Sequence, residues 1–271
     1  MHIYVEGVGV CGPGLKNWRE GRKILAGNQP YVPLPVILPR CEVLPENERR
    51  RAVPTVKLAL GVGSEALANA ERDAAVTAAV FTSSGGDGIT MHQILDVLAS
   101  EERELSPTRF HNSVHNAPSG YWSIATRSRE PSTSLCGYDA SFAVGLLEAA
   151  TQTVVDDRAV MLVAYDLPNS EPLHSVRRLS STFGAAFVFT PRSTNGSLAR
   201  LRIDLRHDDR VPTIMQDQAL EELHVGNPAA RSLPLLAPLA RAVAETIVLD
   251  HLRGKRVVIS ISPEATCDAP R

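Results

Sequence analysis

Cysteine is scarce and scattered in this chain. Cys11, Cys41, Cys136 and Cys267 stand far apart with no CxxC pair, so neither a zinc cage nor a disulfide framework is indicated, and the thiols read as reduced. No metal site is expected. An excess of one charge is lacking too, since 28 Lys and Arg face 30 Asp and Glu for a formal net charge of −2. Nucleic acid and anionic membranes select for clustered positive charge, and neither is expected as a partner. Apolar stretches are broken by Arg, Asp, Gly or Pro well before the roughly 18 residues that a bilayer span requires. Residues 1–10 have neither a basic start nor a long apolar run. No membrane span is expected, and a cytoplasmic location is. No GxGxxG follows the first strand-like segment, and no GxxxxGK[ST] occurs. A nucleotide site is therefore not indicated, and no cofactor is expected.

What is present is 271 residues of 44% hydrophobic composition, enough for a large core. The expectation is one domain over residues 1–271. Residues 2–10 alternate and close on Gly12-Pro13-Gly14, a strand entering a turn, and 15–25 place Leu15, Trp18, Arg22 and Leu25 at helical spacing. The proline-rich stretch 29–45 reads as an ordered loop, and 54–70 as a helix with Pro54 in its first turn. Residues 74–82 form an apolar run of the buried-strand type ending in Ser83-Ser84-Gly85-Gly86-Asp87-Gly88. Helices are predicted over 89–98, 112–125 and 140–154, with strands over 131–135 and 160–165. Strands 183–190 and 198–205 are expected as neighbours, with the turn 191–197 between them. The spacing then predicts a helix over 235–252 and a closing strand over 256–261, with 207–234 the least structured part. The class is α/β, a mixed sheet layered with helices.

Several segments, taken in order, resemble the N-terminal half of β-ketoacyl synthases, the condensing enzymes of the thiolase-like fold. They are Val5-Glu6-Gly7-Val8-Gly9-Val10 with Gly12-Pro13-Gly14, the Arg49-Arg50-Arg51 cluster with the Ala-rich helix after it, and Val80-Phe81-Thr82-Ser83-Ser84-Gly85-Gly86. Asn116-Ala117-Pro118-Ser119-Gly120, Val160-Met161-Leu162-Val163-Ala164 and Phe183-Gly184-Ala185-Ala186-Phe187-Val188 continue the series. The resemblance covers about residues 1–195, with 196–271 a divergent tail, and implies a thiolase-like half-fold. Ser113-Val114-His115-Asn116, Gly145-Leu146-Leu147-Glu148-Ala149 and Leu162-Val163-Ala164-Tyr165-Asp166 look most like the short ketosynthase-like chain length factors of aryl polyene pathways. Such proteins pair with a full-length ketosynthase as a heterodimer.

Condensation needs a cysteine thiolate that takes the acyl group from an acyl carrier protein, and two histidines that assist decarboxylation and stabilise the enolate. In the family that cysteine sits in a short elbow at the start of a buried helix. Here the stretch reads Ser132-Thr133-Ser134-Leu135-Cys136-Gly137-Tyr138-Asp139-Ala140. Counting back from Gly145 puts the nucleophile position on Gly137, and counting forward from Pro131 puts it near Asp139, so Cys136 is adjacent and not aligned. The family's HGT-like turn and its GFGG-like neighbourhood are both missing.

Plainer readings stand beside these. Cys136 reads first as a small structural residue, and second as a nucleophile. His111 and His115 have the i, i+4 spacing of HExxH, yet Asn112 follows the first, and capping or interface contact is the better reading. Arg49, Arg50 and Arg51 are either a solvated helix approach or a surface for an acidic carrier protein. Asp166 and Glu171 lie in a proline-rich stretch with no defined common face.

The leading expectation is a non-condensing chain length factor. It would pair with a full-length ketosynthase, meet an acyl carrier protein, and shape the partner's acyl tunnel in polyene, polyketide or fatty-acid-like biosynthesis. His115, Asn116, Tyr121, Trp122, Ser132 and Ser134 are the expected tunnel and interface residues, and bulk at Tyr121, Trp122 or His115 would set product length by steric exclusion. The alternatives are a β-ketoacyl synthase or acyltransferase using Cys136, and a carrier-protein docking module.

Overall fold

The structure is a computed structural model that describes residues 1–264 apart from 102 and 208; Cys267 lies outside the described residues. Strand β1 (His2–Cys11) runs into a turn in which Gly12 and Leu15 pair through their backbones. Helix α1 (Trp18–Leu25) starts at Trp18 and not at Leu15, because Asn17 takes the cap position and its side chain accepts from the Glu20 amide. The proline-rich stretch leads to α2 (Glu46–Arg51) and then α3 (Pro54–Asn69). Residues 74–76 make a 3-10 turn capped by Asp73, so β2 is confined to Ala78–Thr82.

Next come α4 (Gly88–Ala99), α5 (Pro107–Asn112) and α6 (Ala117–Thr126). The single helix expected over 112–125 is thus broken at 113–116. Pro118 lacks an amide proton and its ring crowds the preceding turn, so it is suited to opening α6 and not to continuing α5. Strand β3 (Ser132–Leu135), helix α7 (Ser141–Val155), strand β4 (Val160–Asp166), the short α8 (Leu173–Val176) and strand β5 (Phe183–Thr190) follow. The remainder is β6 (Ala199–His207), α9 (Gln218–Gly226), α10 (Leu233–Arg241), β7 (Glu245–Asp250) and β8 (Lys255–Pro263).

The described strands form one eight-stranded sheet in the order β3-β2-β4-β5-β1-β6-β8-β7. Strands β2, β3 and β4 are parallel, and every other pairing is antiparallel. Strands β5 and β6 are therefore not neighbours as expected, since β1 lies between them. The connection 191–197 crosses the β1 backbone, where Leu198 donates to the Val5 carbonyl and the Thr194 hydroxyl to Glu6. The tail also differs from expectation. Helix α10 stops at Arg241, Ala242 takes a left-handed φ of 52°, and the β-branched run that follows becomes β7. Residues 207–234, expected to be the least regular, contain α9, whose amides at Ala219 and Leu220 donate to the Asp217 side chain.

Both faces of the sheet are covered near its centre, which is why all seven residues of β4 and all eight of β5 are buried. On one face α3 and α6 pack over Met161, Val163, Tyr165, Ala186 and Val188. Contact is close there because β1 carries glycine: a Cβ at Gly7 would lie 2.1 Å from the Ala66 carbonyl oxygen, and one at Gly9 2.1 Å from that of Val62. The other face is closed by α1 and α7 together with the tail, where Leu233, Leu235, Leu236 and Leu239 join Phe142, Leu146 and Phe187 in one core. The tail thus supplies the helical layer that lets α7 be buried. No helix among the described residues is long and apolar enough to cross a membrane.

Candidate functional site

The parallel strands β2, β3 and β4 end side by side, with Thr82 opposite Leu135 and Ala164. Loops leaving the carboxyl ends of parallel strands converge on one rim, and such rims are where open α/β sheets place their sites. Three turns meet at this rim: 83–87 after β2, 136–140 after β3, and the loop after Asp166.

Asp166 ties them together. It is 2% exposed, and one carboxylate oxygen accepts from the Ser83 hydroxyl at 3.0 Å, the Ser84 amide at 2.8 Å and the Ser84 hydroxyl at 2.8 Å. Burial pushes its pKa up to about 6, against the opposing pull of those donors and of Arg177. The Asn227 side chain of the tail donates to the Asp166 and Ser181 carbonyls, so the rim is also anchored to the tail. Glu171 takes no part in this; it accepts from Ser175 and is exposed, so the two carboxylates do not form a pair.

Two sequence-predicted residues arrive at the same turn. The Cys136 thiol donates to the Ser84 carbonyl at 3.1 Å, and the His115 ring makes a 3.3 Å hydrogen bond through Nε2 to the Ser83 carbonyl, which fixes a proton on that nitrogen. Cys136 is exposed. His111 goes elsewhere: its ring packs edge-on against Tyr121 at 5.8 Å, and the end of α5 at Asn112 removes the shared helix face that the i, i+4 spacing would need. Among the described residues no group of three or more His, Cys, Asp or Glu side chains is placed to hold a metal.

Ser132 is exposed on β3, and the Ser134 hydroxyl donates to that of Ser119 on α6 at 3.4 Å. Strand β3 ends the sheet and pairs, among the described residues, with β2 alone, leaving one row of backbone donors and acceptors open. Asn116 caps α6 through its carbonyl, which accepts from the Ser119 hydroxyl and the Gly120 amide. Tyr121 and Trp122 are 1% and 2% exposed, and Trp122 meets Phe81 edge-on at 6.4 Å. Both rings belong to the core beneath α6.

Arg49, Arg50 and Arg51 close α2. Arg50 pairs with Glu46, Arg51 lies 3.6 Å from Glu48, and Arg49 donates to the Leu44 carbonyl. Acid in the first turn and base in the last complement the helix dipole, so much of this charge is engaged within its own helix.

The sequence reading did not single out Tyr138, the large exposed side chain of this rim. Tyr138 adopts a left-handed φ of 55° between β3 and α7, a conformation costly for a side chain of its bulk. It is 58% exposed. The Arg177 guanidinium lies over its ring, 3.8 Å from the centroid, and pairs with Asp139 at 2.7 Å. Beneath the turn, the Ser141 hydroxyl donates to the Tyr138 carbonyl and accepts from the Gly137 amide. The two residue counts, to Gly137 and to Asp139, bracket Tyr138, and that bracketing was the available signal. The left-handed strand-to-helix turn therefore presents a phenol, with Cys136 two positions before it.

Comparison with known proteins agrees with this architecture. A chain of the complex of the ketosynthase ApeO with its chain length factor ApeC from Xenorhabdus doucetiae superposes with a TM-score of 0.72 at 24% identity, covering 96% of this chain and 99% of that one. A chain of the AntDE:AntF assembly, a type II polyketide acyl carrier protein with its ketosynthase, gives 0.73 at 11% identity, covering 97% and 99%. The ketosynthase of module 1 of the bacillaene synthase from Bacillus amyloliquefaciens FZB42 gives 0.57 at 14% identity over 77% of this chain and 47% of that one. At these identities the likeness is one of fold, the thiolase-like half-fold. No curated protein matches the chain. The family profile described as β-ketoacyl synthase, N-terminal domain, matches residues 16–240, and the chain belongs to that family.

Proposed function

We propose that the chain is a non-condensing, ketosynthase-like chain length factor that pairs with a catalytic ketosynthase and borders its acyl tunnel. The carrying observation is the strand-to-helix turn: its left-handed position holds Tyr138, while the nearby Cys136 thiol donates its proton to the Ser84 carbonyl. A nucleophilic cysteine needs an activating base or cation beside it, and the hydrogen-bond partner of Cys136 is a backbone carbonyl, which supplies neither. Two of the similar structures support the pairing, because each is an assembly containing a ketosynthase in which the matched chain is covered almost end to end.

In this reading the open edge of β3, with Ser132 and Ser134, faces the partner. His115 and the start of α6 at Asn116 lie beside it, and the buried Tyr121 and Trp122 set the position of α6 from behind. An acyl carrier protein would deliver substrate to the assembly, with Arg49 the least committed of the three arginines to an ion pair. A polyketide pathway is the setting that the similar type II assembly suggests, and an aryl polyene pathway the one that the sequence resemblance implies.

A second reading, acylation at Cys136, is favoured by its exposure at the rim. Co-expression with a full-length ketosynthase from the same gene cluster, followed by gel filtration and product analysis, separates the two. The expected result is a stable heterodimer whose product formation survives Cys136→Ala in this chain and is lost when the partner's own cysteine is replaced. Loss of all acyl loading on Cys136→Ala would establish the second reading instead.

A further inference from the structure

The rim carries one assembly that the pairing itself does not require. We propose that Tyr138, held by Arg177 and Asp139, is the length-setting stop of this surface: the ring that ends the path of an acyl chain borne by the partner ketosynthase. The inference rests on the proposed function and names the residue that performs it.

Four features of the structure carry it. First, position: Tyr138 leaves the carboxyl end of β3 between the turn holding Cys136 and the first turn of α7, on the rim where the three parallel strands end. Second, exposure. Tyr121 and Trp122 are sealed in the core, whereas Tyr138 is 58% exposed. Third, conformation. A left-handed φ of 55° is one that glycine adopts freely and tyrosine does not. Retaining a large ring there points to a task for the ring, since strained positions persist where the surroundings over-determine them and function uses them.

Fourth, stiffness. An exposed tyrosine ordinarily samples several rotamers within nanoseconds and makes a poor barrier. This one is covered by a guanidinium 3.8 Å from its centroid, and that guanidinium is tied to Asp139, the next residue along. The Arg177 carbonyl also accepts from the Asn169 side chain at 3.2 Å, so the clamp is braced from the loop after β4. A ring held on one face by a braced guanidinium excludes volume on its other face and loses less side-chain entropy when a chain end meets it.

The test uses the heterodimer with its carrier protein and reads product length by mass spectrometry, with assembly read by gel filtration. Tyr138→Ala is expected to shift the main product longer by at least one extension unit, with assembly intact. Arg177→Met, which frees the ring, is expected to broaden the length distribution. Tyr138→Phe, which keeps ring and clamp, is expected to retain the wild-type length. Unchanged length in Tyr138→Ala within an assembled, active complex overturns the stop and leaves the pairing standing. Failure of Tyr138→Ala to assemble while Tyr138→Phe assembles overturns it too, because the ring would then be a binding contact. A wild-type chain that pairs with no ketosynthase removes the proposed function and the stop with it.

Discussion

Two groups of aromatic side chains flank the same strand ends and do opposite things. Tyr121 and Trp122 on α6 are closed in the core against Phe81, where ring burial contributes to stability. Tyr138 stands in the open on a left-handed turn, covered on one side by Arg177. The first pair serves the fold, and the second residue is held by it. The largest expected difference follows from this. Trp122→Ala should cost the isolated chain about 3–5 kcal/mol, the range for emptying a packed aromatic site, whereas Tyr138→Ala should cost no more than about 1 kcal/mol. Urea unfolding of the three proteins measures it, and equal losses would erase the contrast.

The turn that joins these groups is held by a buried carboxyl, and its pH response sharpens the comparison. Burial holds the Asp166 pKa at about 6, above its ordinary 3.8. Between those values the folded state keeps a proton that the unfolded chain has lost, so this group's contribution makes stability fall as pH rises from 3.8 towards 6. The loss is on the order of 2–3 kcal/mol and is complete above the folded-state pKa. Asp166→Asn keeps an oxygen for the Ser83 and Ser84 donors and cannot ionise. Its unfolding free energy, relative to wild type, should therefore gain with pH across pH 4–6.5. A parallel pair of pH profiles would show that the carboxyl is not desolvated in the folded chain.

Much of the fold was legible because burial on both faces leaves a mark. Val160 to Tyr165 and Phe183 to Thr190 are near-continuous apolar runs, and both proved to be inner strands of the sheet. What escaped was order and ending. Nothing local in Phe183 to Leu205 says that β1 will come between β5 and β6, since that depends on a strand from the other end of the chain. The end of α10 at Arg241 was hidden because apolar residues continue through Ile247, Val248 and Leu249 at spacings that suit a helix or a strand; the β-branched pair was the stronger cue. At the rim, Cys136 and His115 could be picked out as residue types. Their meeting on successive carbonyls of one turn could not. Tyr138 was least legible of all: the counts to Gly137 and Asp139 only bracketed it, a left-handed residue other than glycine leaves no mark of its own, and Arg177, which covers it, comes from a distant segment.

The smallest expected effect is the most specific to Tyr138. Replacing it with glycine relieves a left-handed conformation worth roughly 1–2 kcal/mol to an L-residue. Against this stand the lost cation–π contact, about 0.5–1 kcal/mol at an exposed site, and the extra freedom of glycine in the unfolded chain, about 0.5–1 kcal/mol. These nearly cancel, so Tyr138→Gly should match wild type within about 1 kcal/mol. Tyr138→Ala loses the contact and keeps the strain, and should fall below the glycine variant by about 1 kcal/mol. Paired unfolding curves read that difference directly. Alanine equal to or above glycine would mean that the turn at 138 is not left-handed in the folded protein, and that the ring stands out from the rim for some reason other than the backbone that presents it.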